Sequence, residues 1–90
     1  MLDEAWSLSS SVALRPEPFG ALAYHFGTRR LTFLKQPGLV EVVRGLEAAP
    51  DVRDALTAAG IDTAQWPAYV AALRRLADTD MIAPRTGGPA

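Results

Sequence analysis

The spacing of apolar residues changes partway along the chain. In the first half of the chain it follows the two-residue period of β-strands. It predicts three strands, at Val12–Leu14, Gly20–Phe26 and Leu31–Lys35. The prolines of Arg15–Pro18 should end the first strand, because a proline cannot sit in a central ladder. An antiparallel sheet of three strands is therefore predicted for this half.

The second predicted strand has two faces of different character. One face carries Leu22, Tyr24 and Phe26, and the other carries Ala21, Ala23 and His25. The alternation alone does not say which face is buried. Residues 27–30 are predicted to form the turn into the third strand, with Gly27 supplying any positive φ.

From Pro37 onward the apolar period lengthens to 3.6 residues, which predicts three short helices. Pro37 fits the first turn of the first helix. The apolar stripe of that helix consists of Leu39, Val42, Val43 and Leu46. Asp51 is a good N-cap for the second helix, and Gly60 stands where a glycine commonly follows a helix end.

The third helix can be capped by Asp62 or Thr63. Its regular part should begin near Trp66, because Pro67 fits only a first turn. Its broad apolar face includes Tyr69, Val70, Leu73, Leu76 and Ala77. Residues 84–90 are predicted to be a disordered tail, so the ordered core of a single domain spanning 1–90 covers about 6–83.

This element order predicts a small α+β domain of winged-helix type, with three antiparallel strands followed by three helices. The acidic start of the chain lacks the basic region and apolar core of a secretion signal. No apolar run approaches the roughly 18 residues that span a bilayer. We therefore expect a cytoplasmic protein without a membrane partner.

The inventory of reactive side chains argues against an enzyme. His25 is the only histidine and there is no cysteine, so neither a thiolate metal site nor a disulfide is available. The serines lie in the N-terminal segment without a recognisable base beside them, at Ser7, Ser9, Ser10 and Ser11. No glycine-rich phosphate loop precedes a predicted helix. We expect no catalytic residues, no metal and no cofactor.

Charge is unevenly distributed in a chain whose net charge is −1. No acidic residue lies between Glu17 and Glu41, whereas Arg29, Arg30 and Lys35 fall in that interval and give it a local charge of +3. One interpretation is solubility of a hairpin tip and an edge strand. The other is a docking edge for an acidic, extended partner.

Two binding functions fit the predicted elements. The alternative function is that of a winged-helix DNA-binding protein. Such a protein would read bases with Thr63–Ala68, a segment that carries no arginine or lysine. We therefore expect no nucleic-acid partner. The favoured function is peptide binding by strand addition to the edge Leu31–Lys35. Because main-chain pairing alone falls short of micromolar affinity, the third helix should form a second wall, through Tyr69, Val70 and Leu73 with Arg74 and Arg75 at the rim.

The stretch Tyr24–Lys35, together with Trp66–Tyr69 and Leu73–Leu76, resembles the mycofactocin biosynthesis peptide chaperones. That family belongs with the precursor-peptide recognition elements related to the small chaperone of pyrroloquinoline quinone synthesis. The resemblance covers roughly residues 12–84. It implies a three-strand, three-helix winged fold, in agreement with the pattern above.

The resemblance also implies a function. Such chaperones bind the leader of a ribosomally made precursor peptide as a strand beside the third strand, and present it to a radical S-adenosylmethionine enzyme. The leader is expected to be acidic. By position, the implied peptide-binding residues are Arg29, Arg30, Leu31, Thr32, Phe33, Leu34, Lys35, Tyr69, Val70, Leu73 and Arg74. An exposed edge also invites self-pairing, so a homodimer is allowed for.

Overall fold

A computed structural model describes residues 1–85, which form five strands and three helices. The strands are β1 (Trp6–Leu8), β2 (Val12–Glu17), β3 (Gly20–His25), β4 (Leu31–Leu34) and β5 (Ile82–Pro84). The helices are α1 (Pro37–Gly45), α2 (Val52–Ala58) and α3 (Trp66–Asp78), with short 3₁₀ turns at Leu46–Ala48 and Thr63–Gln65. β2, β3 and β4 form one antiparallel sheet in that order, and β1 pairs with β5 in another. The predicted α+β class is confirmed, whereas the β1–β5 sheet was not predicted.

The central strand β3 buries its small side chains. Ala21 and Ala23 are 0% and 1% exposed, and His25 is buried beside them. α1 packs against β3 and β4 on this side of the sheet. The bulky face of β3 is turned away from the helices, so Phe26 is 59% exposed. The helices therefore cover the alanine face of the sheet.

The helices follow the apolar spacing closely. All four residues of the predicted first stripe are buried: Leu39, Val42, Val43 and Leu46. Asp51 caps α2, since its carboxylate accepts a hydrogen bond from the Asp54 N–H at 2.8 Å, and Gly60 follows that helix with a φ of +74°. Asp62 rather than Thr63 caps the following turn, through the Ala64 N–H. Within residues 1–85, no helix is both long and apolar enough to cross a membrane.

The first predicted strand is longer than expected, because β2 continues through Pro16 to Glu17. The Phe26 N–H donates to the Ser11 carbonyl at 2.8 Å. Backbone groups alternate in direction along an antiparallel pair, so Pro16 faces away from β3. β2 is an edge strand, and a proline is tolerated there because its missing N–H would have faced solvent.

The two ends of the described chain are tied together. The Arg85 N–H donates to the Ala5 carbonyl at 2.8 Å, and the Arg53 N–H to the Leu2 carbonyl at 3.0 Å. The Arg85 guanidinium also donates to the carbonyls of Glu47, at 2.7 Å, and Ala49. These contacts involve residues on either side of the predicted ordered core of about 6–83. Of the predicted tail, Pro84 belongs to β5, and residues 86–90 lie outside the described residues.

Gly20 fixes the spacing between β3 and β4. Its φ is +146°, and a Cβ at this position would overlap the Leu34 carbonyl. We expect Gly20→Ala to lower the free energy of unfolding by about 1–3 kcal/mol from backbone strain alone, measured by urea denaturation. Gly45→Ala is the matched control, because nothing lies within 4 Å of a Cβ there, and it should be neutral or slightly stabilising. Equal stability of the two variants would contradict this assignment.

Candidate functional site

One edge of the main sheet is open for pairing. β4 pairs with β3 and with no other strand among residues 1–85. The His25 N–H donates to the Arg30 carbonyl at 3.0 Å. By the alternation of an antiparallel ladder, Thr32 and Leu34 turn their backbone groups toward β3, whereas Leu31 and Phe33 turn theirs outward. β4 therefore presents outward N–H and C=O groups at every second residue.

The opposite edge is less suited to pairing. Pro16 supplies no N–H to the outer side of β2, and the Val12 N–H already donates to the Ser9 carbonyl at 3.0 Å. Proline is one of the devices that discourage pairing at a sheet edge. Of its three outward-facing residues, β2 thus keeps only Leu14 as a possible N–H donor, whereas both outward-facing residues of β4, Leu31 and Phe33, turn an N–H to the edge.

A groove of about 330 Å³ runs between β4 and α3. Residues from β4, the start of α1 and α3 line it: Thr32, Phe33, Leu34, Lys35, Gln36, Leu39, Ala72, Arg75 and Leu76. Leu39 and Leu76 are largely buried, so they form an apolar floor. Lys35 and Arg75 contribute cations from opposite walls. The groove can accept an extended chain that pairs with β4 and buries alternate side chains.

The predicted residues of the hairpin divide between three places. Thr32, Phe33, Leu34 and Lys35 all line the groove. Leu31 is 55% exposed and lies with Phe33 on the open face of the sheet. Arg29 and Arg30 are exposed in the loop between β3 and β4. The β4 part of the predicted site is thus brought together at one edge.

The predicted residues of α3 are mostly elsewhere. Leu73 is 0% exposed and belongs to the core. The Tyr69 hydroxyl lies against Gly38 in the first turn of α1, and Val70 is partly buried without lining the groove. The residues of α3 that do line it are Ala72, Arg75 and Leu76. Apolar spacing identified the helix but not the part of its surface that faces β4.

Arg74 lies on the side of α3 away from the groove. It lines a separate hollow with Met1, Glu4 and Trp6. The Trp6 indole N–H and the N-terminal ammonium lower the pKa of Glu4, and Arg74 adds to this lowering. The structure therefore does not bring Arg74 to β4, because adjacent helical residues are rotated by about 100° from one another. Of the two arginines predicted for the rim, Arg75 lines the groove and Arg74 does not.

The loop that carries the two arginines is shaped by His25. Its Nδ1 accepts hydrogen bonds from the N–H groups of Gly27, at 3.0 Å, and Thr28, at 3.1 Å. The positive φ of this loop is at Arg29, with a value of +61°, and not at Gly27 as predicted. A buried imidazole thus organises the turn, which explains this histidine without a catalytic role.

Comparison with known proteins gives consistent matches over most of the chain. The family model for the Peptide chaperone MftB family matches residues 5–83. A Peptide chaperone MftB of Mycobacterium ulcerans is 52% identical over 83 residues, which are 92% of this chain and 76% of that protein. That of Mycolicibacterium smegmatis is 52% identical over 91% of this chain and 80% of its own. That of Mycobacterium tuberculosis is 49% identical over 92% and 76%. No solved structure matches the chain.

Replacing His25 tests whether its acceptor nitrogen holds the loop. In His25→Leu the N–H groups of Gly27 and Thr28 lose their acceptor, and the free energy of unfolding should fall by about 1–3 kcal/mol. In His25→Asn the amide oxygen can take the place of Nδ1, so a large part of the loss should be recovered. Urea denaturation of both variants measures this. Equal destabilisation would contradict the role of the acceptor.

Proposed function

The chain belongs to the peptide chaperone MftB family, and we propose that it carries out this role by adding the leader of a precursor peptide to β4 as a fourth strand. Membership confirms the prediction of a mycofactocin peptide chaperone and of a protein that is not an enzyme. The manner of binding, the nature of the leader and its onward delivery make up the proposal.

One observation carries the proposal. The outward backbone groups of Leu31 and Phe33 lie directly beside the groove between β4 and α3. Strand addition requires unpaired main-chain groups for affinity and adjacent pockets for alternate side chains. Both requirements coincide at this edge, whereas the β2 edge is interrupted by Pro16.

The energetics explain why the groove is needed. Leu31 and Phe33 each offer one N–H and one C=O, and these bonds contribute about 0.5–1.5 kcal/mol each. Ordering a disordered peptide costs about 2–5 kcal/mol, which offsets most of that gain. Micromolar affinity requires about −8 kcal/mol. Burial of apolar leader side chains over Leu39, Ala72 and Leu76 has to supply the difference.

The charges at the edge favour an acidic leader. Lys35 and Arg75 lie on the two walls of the groove, and Arg29 and Arg30 follow the same edge toward the loop. None of these four residues takes part in the salt bridges found among residues 1–85. Complementary charge adds mainly to the association rate and to specificity, and both are sensitive to salt.

Delivery to a second protein completes the proposed function. The bound leader would be presented in the cytoplasm to a radical S-adenosylmethionine enzyme that modifies the remainder of the peptide. The chain contains no cysteine, so the thiolates of an iron–sulfur cluster would belong to that enzyme. In the absence of leader, the same edge could pair with a second copy and form a homodimer.

The backbone part of the proposal is tested at Phe33, whose N–H faces outward. Phe33→Pro removes this donor while leaving the β3–β4 ladder intact, whereas Leu34→Pro would break the sheet itself. Phe33→Ala is the control, because it loses the same aromatic ring and keeps the donor. We expect the proline variant to bind a synthetic acidic leader about tenfold more weakly than the alanine variant, from one lost bond and exclusion of the incoming strand. Isothermal titration measures the two affinities.

Folding of both variants has to be verified by circular dichroism before the affinities are compared. Equal leader affinities in two folded variants would contradict strand addition at β4. Amide chemical shifts then locate the contact: changes along residues 31–35 support the proposal. Changes confined to residues 63–68 upon addition of duplex DNA would instead favour the winged-helix alternative.

The electrostatic part is tested by two adjacent arginines of α3. Arg75→Glu reverses a charge in the groove, and leader affinity should fall about three- to tenfold with a weaker dependence on salt. Arg74→Glu makes the same change on the other side of the helix, and affinity should stay within about twofold. Titrations at two ionic strengths provide the measurement. If both reversals weakened binding equally, a general effect of net charge would replace the specific contact with Arg75.

A further inference from the structure

The face of the sheet opposite the helices is unusually apolar for a surface. Four large hydrophobic side chains are prominently exposed: Phe19 at 38%, Phe26 at 59%, Leu31 at 55% and Phe33 at 58%. Leu22 and Tyr24 lie between them and are partly exposed. We call this set of six residues the outer face. Contiguous exposed apolar surface of this kind marks interaction sites in soluble proteins.

The outer face is held together by contacts between neighbouring strands. Leu22 is directly opposite Phe33, and Tyr24 is opposite Leu31. Phe33 meets Phe19 edge to face with 5.8 Å between ring centroids, and Tyr24 meets Phe26 in the same manner at 5.1 Å. Such pairs restrict side-chain rotation, so little conformational entropy remains to be lost on binding.

Basic groups border one end of this face. Arg29 and Arg30 end the loop between β3 and β4 and directly precede Leu31. Neither joins a salt bridge among residues 1–85. On β2 the face carries Arg15 and Glu17, which are already paired at 3.0 Å. A second copy of this face would therefore bring more cations and no available carboxylate. The complementary surface is apolar with acidic groups at its border.

We propose that the outer face docks a folded protein whose surface is apolar with acidic groups at its border. Building on the proposed function, this protein is the peptide-modifying enzyme. The outer face lies on the opposite side of the sheet from the groove, and the two surfaces share Phe33 at the edge of β4.

The position of the outer face beside β4 has a mechanistic consequence. A leader strand paired with β4 would place alternate side chains next to Leu31 and Phe33, on the same face. An enzyme docked there would contact the chaperone and the bound leader together. Binding of leader and of enzyme should then strengthen each other by equal factors, because thermodynamic coupling is reciprocal.

The test uses the double variant Phe19→Ser, Phe26→Ser in the full chain and the purified radical S-adenosylmethionine maturase of mycofactocin biosynthesis as the probe. Both residues are exposed and neither lines the groove. We expect affinity for the maturase to fall by about tenfold or more, as for aromatic anchors of an interface. Leader affinity should stay within about twofold. Arg75→Glu is the matched control, which should weaken leader binding and leave leader-free maturase binding unchanged.

Four results would overturn the docking proposal. Unchanged maturase affinity in the folded double variant would do so, as would the absence of any binding by the unsubstituted chaperone with or without leader. A dimer in analytical ultracentrifugation that the double variant abolishes would assign the face to a second copy. Binding to phosphatidylglycerol vesicles that the double variant abolishes would assign it to a lipid surface. Failure of the leader to bind would contradict the proposed function alone, because maturase docking is measured without leader.

Discussion

The close approach of α1 to the alanine face of β3 is the constraint on which the remaining structure depends. Only small side chains fit between the helices and the centre of the sheet, and Ala21 and Ala23 are almost completely buried there. Because side chains alternate along a strand, burial of this face turns Tyr24 and Phe26 to the opposite side. β3 thus buries its alanines and turns its larger apolar residues outward, whereas Leu34 of the neighbouring strand β4 is buried. Bulk for the core comes instead from the helices and from Met81 and Ile82.

The same alternation orients the backbone of β4. The hydrogen bond from His25 to Arg30 sets the phase of the ladder, and that phase leaves Leu31 and Phe33 with outward N–H groups. Gly20 allows β3 to pass close to Leu34 at the other end. The sheet consequently has one edge that can extend and one, at β2, that is limited by Pro16. This asymmetry connects the packing of the core with the proposed binding of a single peptide strand.

The two surfaces that meet at β4 have different chemistry. The groove side is narrow, has an apolar floor and carries cations on both walls, which suits an extended acidic chain. The outer face is broader and aromatic, which suits a folded surface. A strand bound at β4 would belong to both. In the proposed arrangement, the chaperone contacts a peptide and an enzyme through the two sides of this one edge.

The sequence by itself determined most of the secondary-structure elements. The spacing of Leu39, Val42 and Val43 predicted α1, and Asp51 and Gly60 marked the two ends of α2. The two-residue period of the first half predicted the three-strand sheet. These signals could be recognised because each is local in the chain. Tertiary structure alone decided which face of β3 is buried and that Arg75 rather than Arg74 reaches the groove. It also decided that β1 pairs with β5 across the length of the chain. Periodicity defines faces but not the partner of each face, and that choice depends on which surfaces fit together once the elements pack.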